Sequence, residues 1–503
     1  MRILLRCDGA PRIGVGHVVR SLALAQVALE RGHSVDLLGR AEGALLESLT
    51  GATPGLTMLG AAREGVGLGE LATGYDVVHV DHYDLGVELL ADLATVAGAD
   101  RAMLSNIVDG RFGARPADVL VDPTVGAERD DPPAAARWHL RGSRFTPVRS
   151  ELTRGPTHRP AAATTPADER VPTVLVVMGG TDPSRCAPLV VEALEHLHLE
   201  LEVTVVSVPG TAEALATLAA GWARGRLRVT PPVPDLPALM AAADVVVTAA
   251  GTSTWELCAM RRPMALVVAA DNQRAGHDRV VAAGGAVGLG GVADLTDVGA
   301  TAARLRPLLA DADLRDRVAA AAHRLVDGRG AWRVVSAWEA ARAASEPRPG
   351  PAVTVRRATL DDARALWEWR NDPVTRAVSR HHDVVPYADH VAWLRASLER
   401  PDRHVLVGGH DGVDVGTVRW DLEEGAEWEV SIVLAPGARG RGLAPGLLRA
   451  GEQWLSGGTA VDAYLAVVHT DNTASRRLFV SGGYVPDLPP DAHGFERWVR
   501  TVR

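Results

Sequence analysis

The segment Arg2–Arg20, RILLRCDGAPRIGVGHVVR, decides the fold class of the first part of the chain. Its opening residues, Arg2–Arg6, form an apolar run that predicts a strand, and His17–Arg31 shows the apolar period of a helix. The loop between them is rich in glycine, and Gly14 and Gly16 allow backbone conformations that bring the chain close to a ligand. A strand, a glycine-rich loop and a helix in this order are typical of parallel α/β domains.

Short apolar runs alternate with helical segments as far as residue 345. They predict further strands at Ser34–Leu38, Val77–Val80, Val119–Val121, Thr173–Met178, Val203–Val208, Val245–Thr248 and Ala265–Val268. Arg154–Pro172 is rich in proline, alanine and threonine, and we interpret it as a linker. We therefore expect two α/β domains with parallel sheets, residues 1–153 and 172–345. Such a pair resembles the two Rossmann-like domains of the GT-B architecture, in which a nucleotide sugar lies in the cleft.

Residues 352–503 follow a second break, Glu346–Pro351, and show a different order of elements. A strand and two helices precede three predicted strands, which are His404–Gly408, Gly416–Asp421 and Glu427–Leu434. A glycine-rich turn and a helix come next, and the end reads as strand, helix and strand. This order predicts an α+β domain built around an antiparallel sheet.

The composition limits the classes of function. The 503 residues carry a net charge of -9, and 47% are hydrophobic and 23% charged, which is ordinary globular usage. An acidic chain without a basic run is a poor candidate for binding nucleic acid, and no apolar run reaches the ~18 residues that span a membrane. Three distant cysteines and the lack of a signal-peptide pattern predict a cytoplasmic protein without disulfides. We expect no metal, and the oligomeric state stays unknown.

Two groups of polar residues mark one edge of the first predicted sheet. His17 stands at the start of the first helix, where α/β proteins bind ligands. A neutral imidazole there can take a proton from water, and a helix N-terminus favours anions. Asp81, His82 and Tyr83 follow the strand Val77–Val80 and belong to the same edge. For each residue, a packed or solvated side chain without a catalytic role is the alternative.

Three loops of the middle segment carry small and polar residues directly after predicted strands. In a parallel sheet such loops share one edge, where backbone N–H groups and hydroxyls hold phosphates. Glu256, one turn into a helix, is predicted to accept hydrogen bonds from ribose hydroxyls. The predicted nucleotide-binding residues are Gly180, Thr181, Gly251, Thr252, Ser253, Glu256, Asn272 and Gln273. Helix capping is the alternative for Asn272 and Gln273.

Residues 1–345 resemble the UDP-sugar hydrolases of the pseudaminic acid pathway. The resemblance rests on IGVGHVVRSLALA, DHY, LRGSRFTPVRSEL, GGTDPS, AAGTSTWEL and DNQ, which occur in the family's order. It implies that water attacks the anomeric carbon of UDP-2,4-diacetamido-2,4,6-trideoxy-β-L-altrose and releases UDP. The family's catalytic histidine falls on His17, and its UDP site falls on Gly251–Glu256 and Asn272-Gln273. The chain departs from the family at Val108-Asp109 and Val121-Asp122-Pro123.

A second glycine-rich loop, Arg439–Ala444, follows the strand Glu427–Leu434 and opens a helix. It fits the pattern R/Q-x-x-G-x-G/A and resembles the coenzyme A pyrophosphate loop of GNAT acetyltransferases. Its glycines expose N–H groups at a helix N-terminus, which suits a pyrophosphate. The resemblance implies acetyl-CoA as cosubstrate, held by Arg439, Gly440, Arg441, Gly442, Ala444, Asn472 and Ser475.

The pattern Trp369-Arg370-Asn371 with His390 and Trp393 resembles the sugar N-acetyltransferase of the same pathway, and also other GNAT branches that act on small amines. Arg370 and Asn371 end a predicted helix and can hold a polar or anionic substrate. Core packing is the stronger interpretation of the two tryptophans.

Glu429 is the candidate base for the amine that attacks the thioester. It alternates with apolar residues on the strand before the loop, and an exposed strand carboxylate is the alternative. Many GNAT enzymes place a tyrosine where this chain has Phe479. Tyr484 or solvent would then protonate the leaving thiolate.

Together these interpretations predict a bifunctional enzyme for UDP-linked amino sugars. The C-terminal domain would acetylate a UDP-4-amino-4,6-dideoxy sugar, and the N-terminal pair would release UDP from the diacetamido sugar. One alternative is a GT-B glycosyltransferase fused to the acetyltransferase, because water and a hydroxyl acceptor need the same base. Another is a non-catalytic module that presents the UDP-sugar to the acetyltransferase.

Overall fold

The computed structural model describes most of the chain, namely residues 1–9, 15–40, 44–59, 73–82, 102–108, 117–154, 171–180, 182–233, 235–344 and 350–502. These residues form three sheets, in chain order. The predicted linker at Arg154–Pro172 and the break at Glu346–Pro351 lie mainly outside the described residues.

The first sheet has seven strands in the order β3-β2-β1-β4-β5-β6-β7. Strands β1 to β6 pair in parallel. The strand order reverses between β1 and β4, so ligands of such a sheet bind beyond the carboxyl ends of these two strands. The elements are β1 (Arg2–Cys7), α1 (Gly16–Glu30), β2 (Ser34–Leu38), α2 (Ala44–Gly51), β3 (Leu56–Leu59), β4 (Val77–Asp81), β5 (Met103–Ile107), β6 (Ala117–Asp122), β7 (Ala136–Arg141) and α3 (Glu151–Arg154).

The second sheet has six parallel strands in the order β10-β9-β8-β11-β12-β13, and it reverses between β8 and β11. Every residue of β11 and β12 is buried, because helices cover both faces of a parallel sheet. The elements are β8 (Thr173–Val177), α4 (Cys186–His196), β9 (Leu201–Val206), α5 (Ala212–Gly221), β10 (Gly225–Thr230), α6 (Leu236–Ala242), β11 (Val245–Ala249), α7 (Thr252–Ala259), β12 (Met264–Val268), α8 (Arg274–Ala282), β13 (Val287–Gly291), α9 (Val292–Leu295), α10 (Val298–Ala310), α11 (Ala312–Leu325) and α12 (Gly330–Ala343).

The third sheet is mixed, in the order β14-β15-β16-β17-β18-β20-β19. All of its pairs are antiparallel except β17 with β18. The elements are β14 (Thr354–Arg357), α13 (Ala363–Asn371), α14 (Pro373–Ala377), α15 (Tyr387–Glu399), β15 (Arg403–His410), β16 (Val413–Leu422), β17 (Glu427–Leu434), α16 (Ala444–Ser456), β18 (Ala463–His469), α17 (Thr473–Ser481), β19 (Val485–Leu488) and β20 (Phe495–Thr501). The expected fold class, two Rossmann-like α/β sheets followed by an α+β domain, is confirmed.

Contacts divide the chain into two compact units. The first comprises residues 1–127, 133–136 and 141–335, and so contains most of the first sheet and all of the second. The second comprises 336–503 together with 128–132 and 137–140. No described helix is long and apolar enough to cross a membrane.

Candidate functional site

A buried cluster of His17, Asp81 and Arg20 stands where the first sheet reverses its strand order. His17 is the second residue of α1, and Asp81 is the last residue of β4. Nδ1 of His17 lies 2.5 Å from Oδ1 of Asp81, and the two residues are 4% and 1% exposed. Nε of Arg20 donates to Oδ2 of Asp81 at 3.0 Å, and its Nη2 donates to Oδ1 at 2.9 Å. The carboxylate therefore fixes both neighbours.

The protonation state of this cluster follows from its charges. Burial by itself would raise the pKa of Asp81, but the charge of Arg20 and the hydrogen bond from His17 hold the pKa well below its usual range. An ionised carboxylate is an acceptor only, so Nδ1 of His17 carries the proton of the short contact. In the neutral imidazole the other ring nitrogen, Nε2, is then the basic one.

A second triad of the same kind lies at the ends of the same two strands. Nε2 of His82 lies 2.6 Å from Oδ2 of Asp8, and Nη1 of Arg6 donates to Oδ1 of Asp8 at 2.6 Å. Burial opposes ionisation of Asp8, but His82 and Arg6 outweigh it and the pKa of Asp8 lies well below its usual range. His82, predicted to contact substrate, is thus held by an ionised carboxylate.

Within the first unit, Gly16, the first residue of α1, lies against the N-terminus of α7. A Cβ atom placed on Gly16 would lie 2.9 Å from Oγ1 of Thr252, so only a glycine fits there without movement. Thr252 and Ser253 begin α7, whose first N–H groups lack intrahelical acceptors. His17 is the next residue after Gly16, and the predicted base therefore stands beside the predicted phosphate loop.

The three predicted loops of the second sheet follow β8, β11 and β12, which are neighbours in that sheet. A Cβ on Gly251 would lie 3.7 Å from Nε2 of Gln273, so the second and third loops adjoin each other. Oε1 of Gln273 accepts from the N–H of Ala269 at 3.0 Å, which is a local cap. Gly180 and Asn272 are exposed at the same edge.

Glu256 is nearly buried and forms an ion pair that the sequence analysis did not assign. Nε and Nη2 of Arg149 donate to Oε1 of Glu256 at 3.2 and 2.8 Å. Arg149 lies 107 positions earlier in the chain, so local sequence gives no sign of the pair. The ion pair fixes the carboxylate that is predicted to bind ribose.

In the second unit, the loop Arg439–Ala444 leads from β17 into α16, as expected. Gly440 and Gly442 have φ angles of 73° and 72°, which other residues adopt only with strain. Arg441 is exposed. The Arg439 side chain instead contacts the start of α14, through an ion pair of 2.7 Å with Asp372 and a hydrogen bond to Thr375.

The strands β17 and β18 separate beyond Val430 and Ala466, where their parallel pairing ends. Each strand continues, to Leu434 and His469 respectively, while it pairs only with its other neighbour. Backbone N–H and C=O groups thereby face the gap without ladder partners. Such a gap accepts an extended amide-containing chain in the manner of an added strand. Asn472 caps α17 next to it, accepting from the N–H of Ser475 at 3.1 Å.

Glu429 lies on β17 directly opposite Asp421 of β16. The structure shows no hydrogen bond or ion pair between Glu429 and the other described residues. Burial raises the pKa of Glu429, and the charges of Glu423 and Asp421 add to the effect. Asp421 itself accepts hydrogen bonds from Arg403 and Arg419. Glu429 therefore combines a raised pKa with a carboxyl group that no other described residue engages in a hydrogen bond or ion pair.

Arg370 and Asn371 end α13 and have different environments. Both halves of the Asn371 amide bond to the backbone of Val385, at 2.9 and 2.8 Å, so this side chain fastens a loop. Nη2 of Arg370 donates to the carbonyl of His381, whereas its buried Nη1 finds no partner among the described residues. The same described residues supply no partner for Nε2 of the buried His390.

Trp369, Phe479 and Tyr484 belong to the core. Trp369, on α13, belongs to a buried cluster with Leu394 of α15 and Val405 of β15, and Trp393 packs partly against the same cluster. Tyr484 is fully buried and its hydroxyl donates to Oε1 of Glu452 at 2.7 Å. Burial raises the pKa of Tyr484 well above its usual value, so solvent is the better source of a proton for a thiolate.

Gly14, Tyr83 and Thr181 lie outside the described residues. Within the described ranges no group of three or more His, Cys, Asp or Glu side chains has the arrangement of a metal site.

Two parts of the chain match models of known families. Residues 352–485 match "Acetyltransferase (GNAT) domain", and residues 174–289 match "Glycosyltransferase family 28 C-terminal domain". The chain carries a GNAT acetyltransferase domain and a family 28 glycosyltransferase C-terminal domain. No curated protein matches the chain.

Solved structures similar to parts of the chain include MurG of Acinetobacter baumannii, at 16% identity and a TM-score of 0.49, over 67% of this chain and 99% of that one. Aminoglycoside acetyltransferase AAC(6')-Ib in complex with coenzyme A shares 19% identity with a TM-score of 0.27, over 30% of this chain and 95% of that one. Spermidine N-acetyltransferase from Vibrio cholerae, in complex with CoA and spermine, shares 15% identity with a TM-score of 0.27, over 29% and 94%.

Proposed function

We propose that the chain is a bifunctional enzyme of nucleotide-sugar metabolism. Its GNAT domain transfers an acetyl group from acetyl-CoA to the amine of a UDP-4-amino-4,6-dideoxy sugar. Its two Rossmann-like sheets release UDP from the resulting UDP-2,4-diacetamido-2,4,6-trideoxy sugar by hydrolysis, as in pseudaminic acid biosynthesis.

The observation that carries the hydrolytic step is the contact of His17 with Asp81 beside the start of α7. Asp81 orients His17 so that Nε2 can take a proton from water as the water attacks the anomeric carbon. The glycosidic C–O bond breaks, and its electron pair leaves with the β-phosphate of UDP. The N-terminus of α7, adjoining Gly16, supplies N–H groups for that phosphate. The imidazolium formed in this step is stabilised by ionised Asp81.

For acetyl transfer, the gap between β17 and β18 fits the extended arm of acetyl-CoA, and the Gly440–Gly442 turn fits its pyrophosphate. Acetyl-CoA supplies the acetyl group as a thioester. Glu429 removes a proton from the substrate ammonium, directly or through water, so that the amine can attack. Its raised pKa brings the carboxylate closer to the pKa range that suits a base near neutral pH.

The charges around Arg370 support an anionic acceptor such as a UDP-linked sugar. Burial lowers the pKa of Arg370, and the nearby charges of Arg376 and Arg419 lower it further. Burial and the charge of Arg370 also lower the pKa of His390. Arg370 Nη1 and His390 Nε2 are buried nitrogens for which the described part of the chain supplies no partner, and both can contact oxygens of the acceptor substrate. A phosphate-bearing substrate would offset the positive charge of Arg370, Arg376 and Arg419.

A glycosyltransferase is the second candidate for the N-terminal half, because residues 174–289 match a glycosyltransferase family model. The two functions differ in the acceptor of the sugar. The test is to incubate the full chain with the UDP-diacetamido sugar in ¹⁸O-water with no other acceptor. Hydrolysis at the anomeric carbon predicts rapid release of UDP that contains no ¹⁸O. UDP release only after a sugar or lipid acceptor is added would favour the glycosyltransferase, and none under either condition would favour a binding module.

A further inference from the structure

A cavity of about 550 Å³ lies within the second unit, and only its end at Pro445 adjoins the predicted acetyl-CoA loop. One wall is a face of α16 that extends from Pro445 to Ser456, and the opposite wall is the end of α17 with the strands β18 and β20. Glu452 lies eight residues beyond the start of α16, about 12 Å along the helix at 1.5 Å per residue. The polar part of the cavity is therefore separate from the glycine turn.

Glu452 and Arg500 form the polar floor of the cavity. Nη2 of Arg500 lies 2.8 Å from Oε2 of Glu452, and the Tyr484 hydroxyl donates to Oε1 at 2.7 Å. Both carboxylate oxygens thus have partners. Nε of Arg500, in contrast, is buried and finds no acceptor among the described residues.

Trp138 also lines the cavity and carries a second buried N–H donor of this kind. It is 3% exposed, and its indole Nε1 is buried without an acceptor in the described part of the chain. The guanidinium carbon of Arg137 lies 4.0 Å from the centre of its ring, which places a second cation at the cavity. Two buried N–H donors without acceptors in one cavity are costly unless a ligand supplies the acceptors.

We propose that this cavity binds a phosphate monoester whose oxygens accept from Trp138 Nε1 and Arg500 Nε. Its lining includes three arginines, Arg137, Arg449 and Arg500, and one acid, Glu452. A phosphate monoester carries about −1.5 to −2 at pH 7, so a lining richer in cations than in acids favours it. Leucine and valine side chains of the lining pack against the organic part of the ester. The volume lies within the usual range for small-molecule sites.

Calorimetric titration of the full chain tests the proposal, with inorganic phosphate, N-acetylglucosamine 6-phosphate and uridine 5′-monophosphate as probes. Trp138→Phe removes one N–H and keeps an aromatic ring, Arg449→Gln removes one exposed cation, and Arg395→Gln is a matched control on α15. We expect at least one probe to bind with a Kd that rises about tenfold in the first two variants and stays unchanged in the control. Thermal unfolding verifies that the variants fold.

The probe that binds most tightly identifies the source of the phosphate, because the sugar phosphate and the nucleotide differ only in their organic part. Three results would overturn the proposal. One is that no probe binds, and another is that Trp138→Phe and Arg449→Gln bind as tightly as the unaltered chain. The third is that saturating acetyl-CoA abolishes binding, which would make the cavity part of the acetyl-CoA site. The test does not depend on UDP release, so it stands apart from the proposed function.

Discussion

Replacing Asp81 by asparagine tests how the His17 imidazole is held. Asp81→Asn keeps the side-chain shape but removes the charge that lies 2.5 Å from His17 Nδ1. A hydrogen bond to a charged group contributes about 1.5–3 kcal/mol, so its loss predicts a fall in kcat for UDP release of about 10- to 150-fold. If His17 becomes charged in the transition state, its hydrogen bond to Asp81 strengthens there. The loss of activity in Asp81→Asn should therefore appear in kcat rather than in KM.

Arg20 complicates this variant, because it loses the anion to which its Nε and Nη2 donate. Removing one partner of a buried ion pair costs about 3–5 kcal/mol of folding free energy. The double variant Arg20→Gln/Asp81→Asn removes both charges. It should regain part of the thermal stability and still release UDP as slowly as the single variant. Asp36→Asn, in the same sheet at a carboxylate bonded to Tyr75, is the control and should leave kcat unchanged.

The assay is chromatographic measurement of UDP at saturating UDP-diacetamido sugar, with thermal unfolding of each variant measured in parallel. A folded Asp81→Asn protein whose kcat stays within about threefold of the unaltered chain would show that Asp81 is not needed to hold the His17 imidazole. His17 would then act without orientation by Asp81, or another residue would be the base.

Three further variants address the other sites. Glu256→Ala should weaken UDP binding by about 1.5–3 kcal/mol, measured by calorimetry, and unchanged affinity would place the ribose elsewhere. Gly442→Val should strongly raise the KM for acetyl-CoA, because a β-branched residue is strained at a φ of 72°. The control Gly437→Ala, in the preceding turn, should leave this KM unchanged. A normal KM in Gly442→Val would exclude the pyrophosphate from this turn. Because the pKa of Glu429 is raised, acetyl transfer should decline as pH falls through that raised value and Glu429 becomes protonated. Glu429→Gln should have low kcat and intact CoA binding, and an unaltered pH profile in this variant would remove Glu429 as the base.

Local sequence patterns predicted the positions of the elements well. Strand β17 has the predicted bounds, Glu427–Leu434, and α1 begins one residue before the predicted start. Strand β16 begins earlier than expected, because Asp411 and Gly412 have φ angles of 51° and 78° and form a tight hairpin turn. The dipeptide Asp-Gly is a strong hairpin signal, which the sequence analysis did not use.

Contacts between distant residues could not be predicted in the same way. Asp81 lies 64 positions from His17, and Arg149 lies 107 positions from Glu256. The strand order of the first sheet, with β4 beside β1, brings Asp81 to His17, whereas the packing of α3 against α7 brings Arg149 to Glu256. The separation of β17 from β18 is likewise a property of strand register, and no residue type marks it. The catalytic role of His17 and the ribose-binding role of Glu256 stay predictions.

We propose one chain that acetylates a UDP-amino sugar and then cleaves the product. The most direct measurement follows CoA, acetylated UDP-sugar, UDP and free sugar by mass spectrometry after the full chain is mixed with acetyl-CoA and the UDP-4-amino-4,6-dideoxy sugar in water. We expect CoA to appear first, acetylated UDP-sugar to rise and then fall, and UDP and the free acetylated sugar to reach the same final amount as CoA. Formation of CoA with acetylated UDP-sugar as a stable end product, and no UDP, would contradict this proposal.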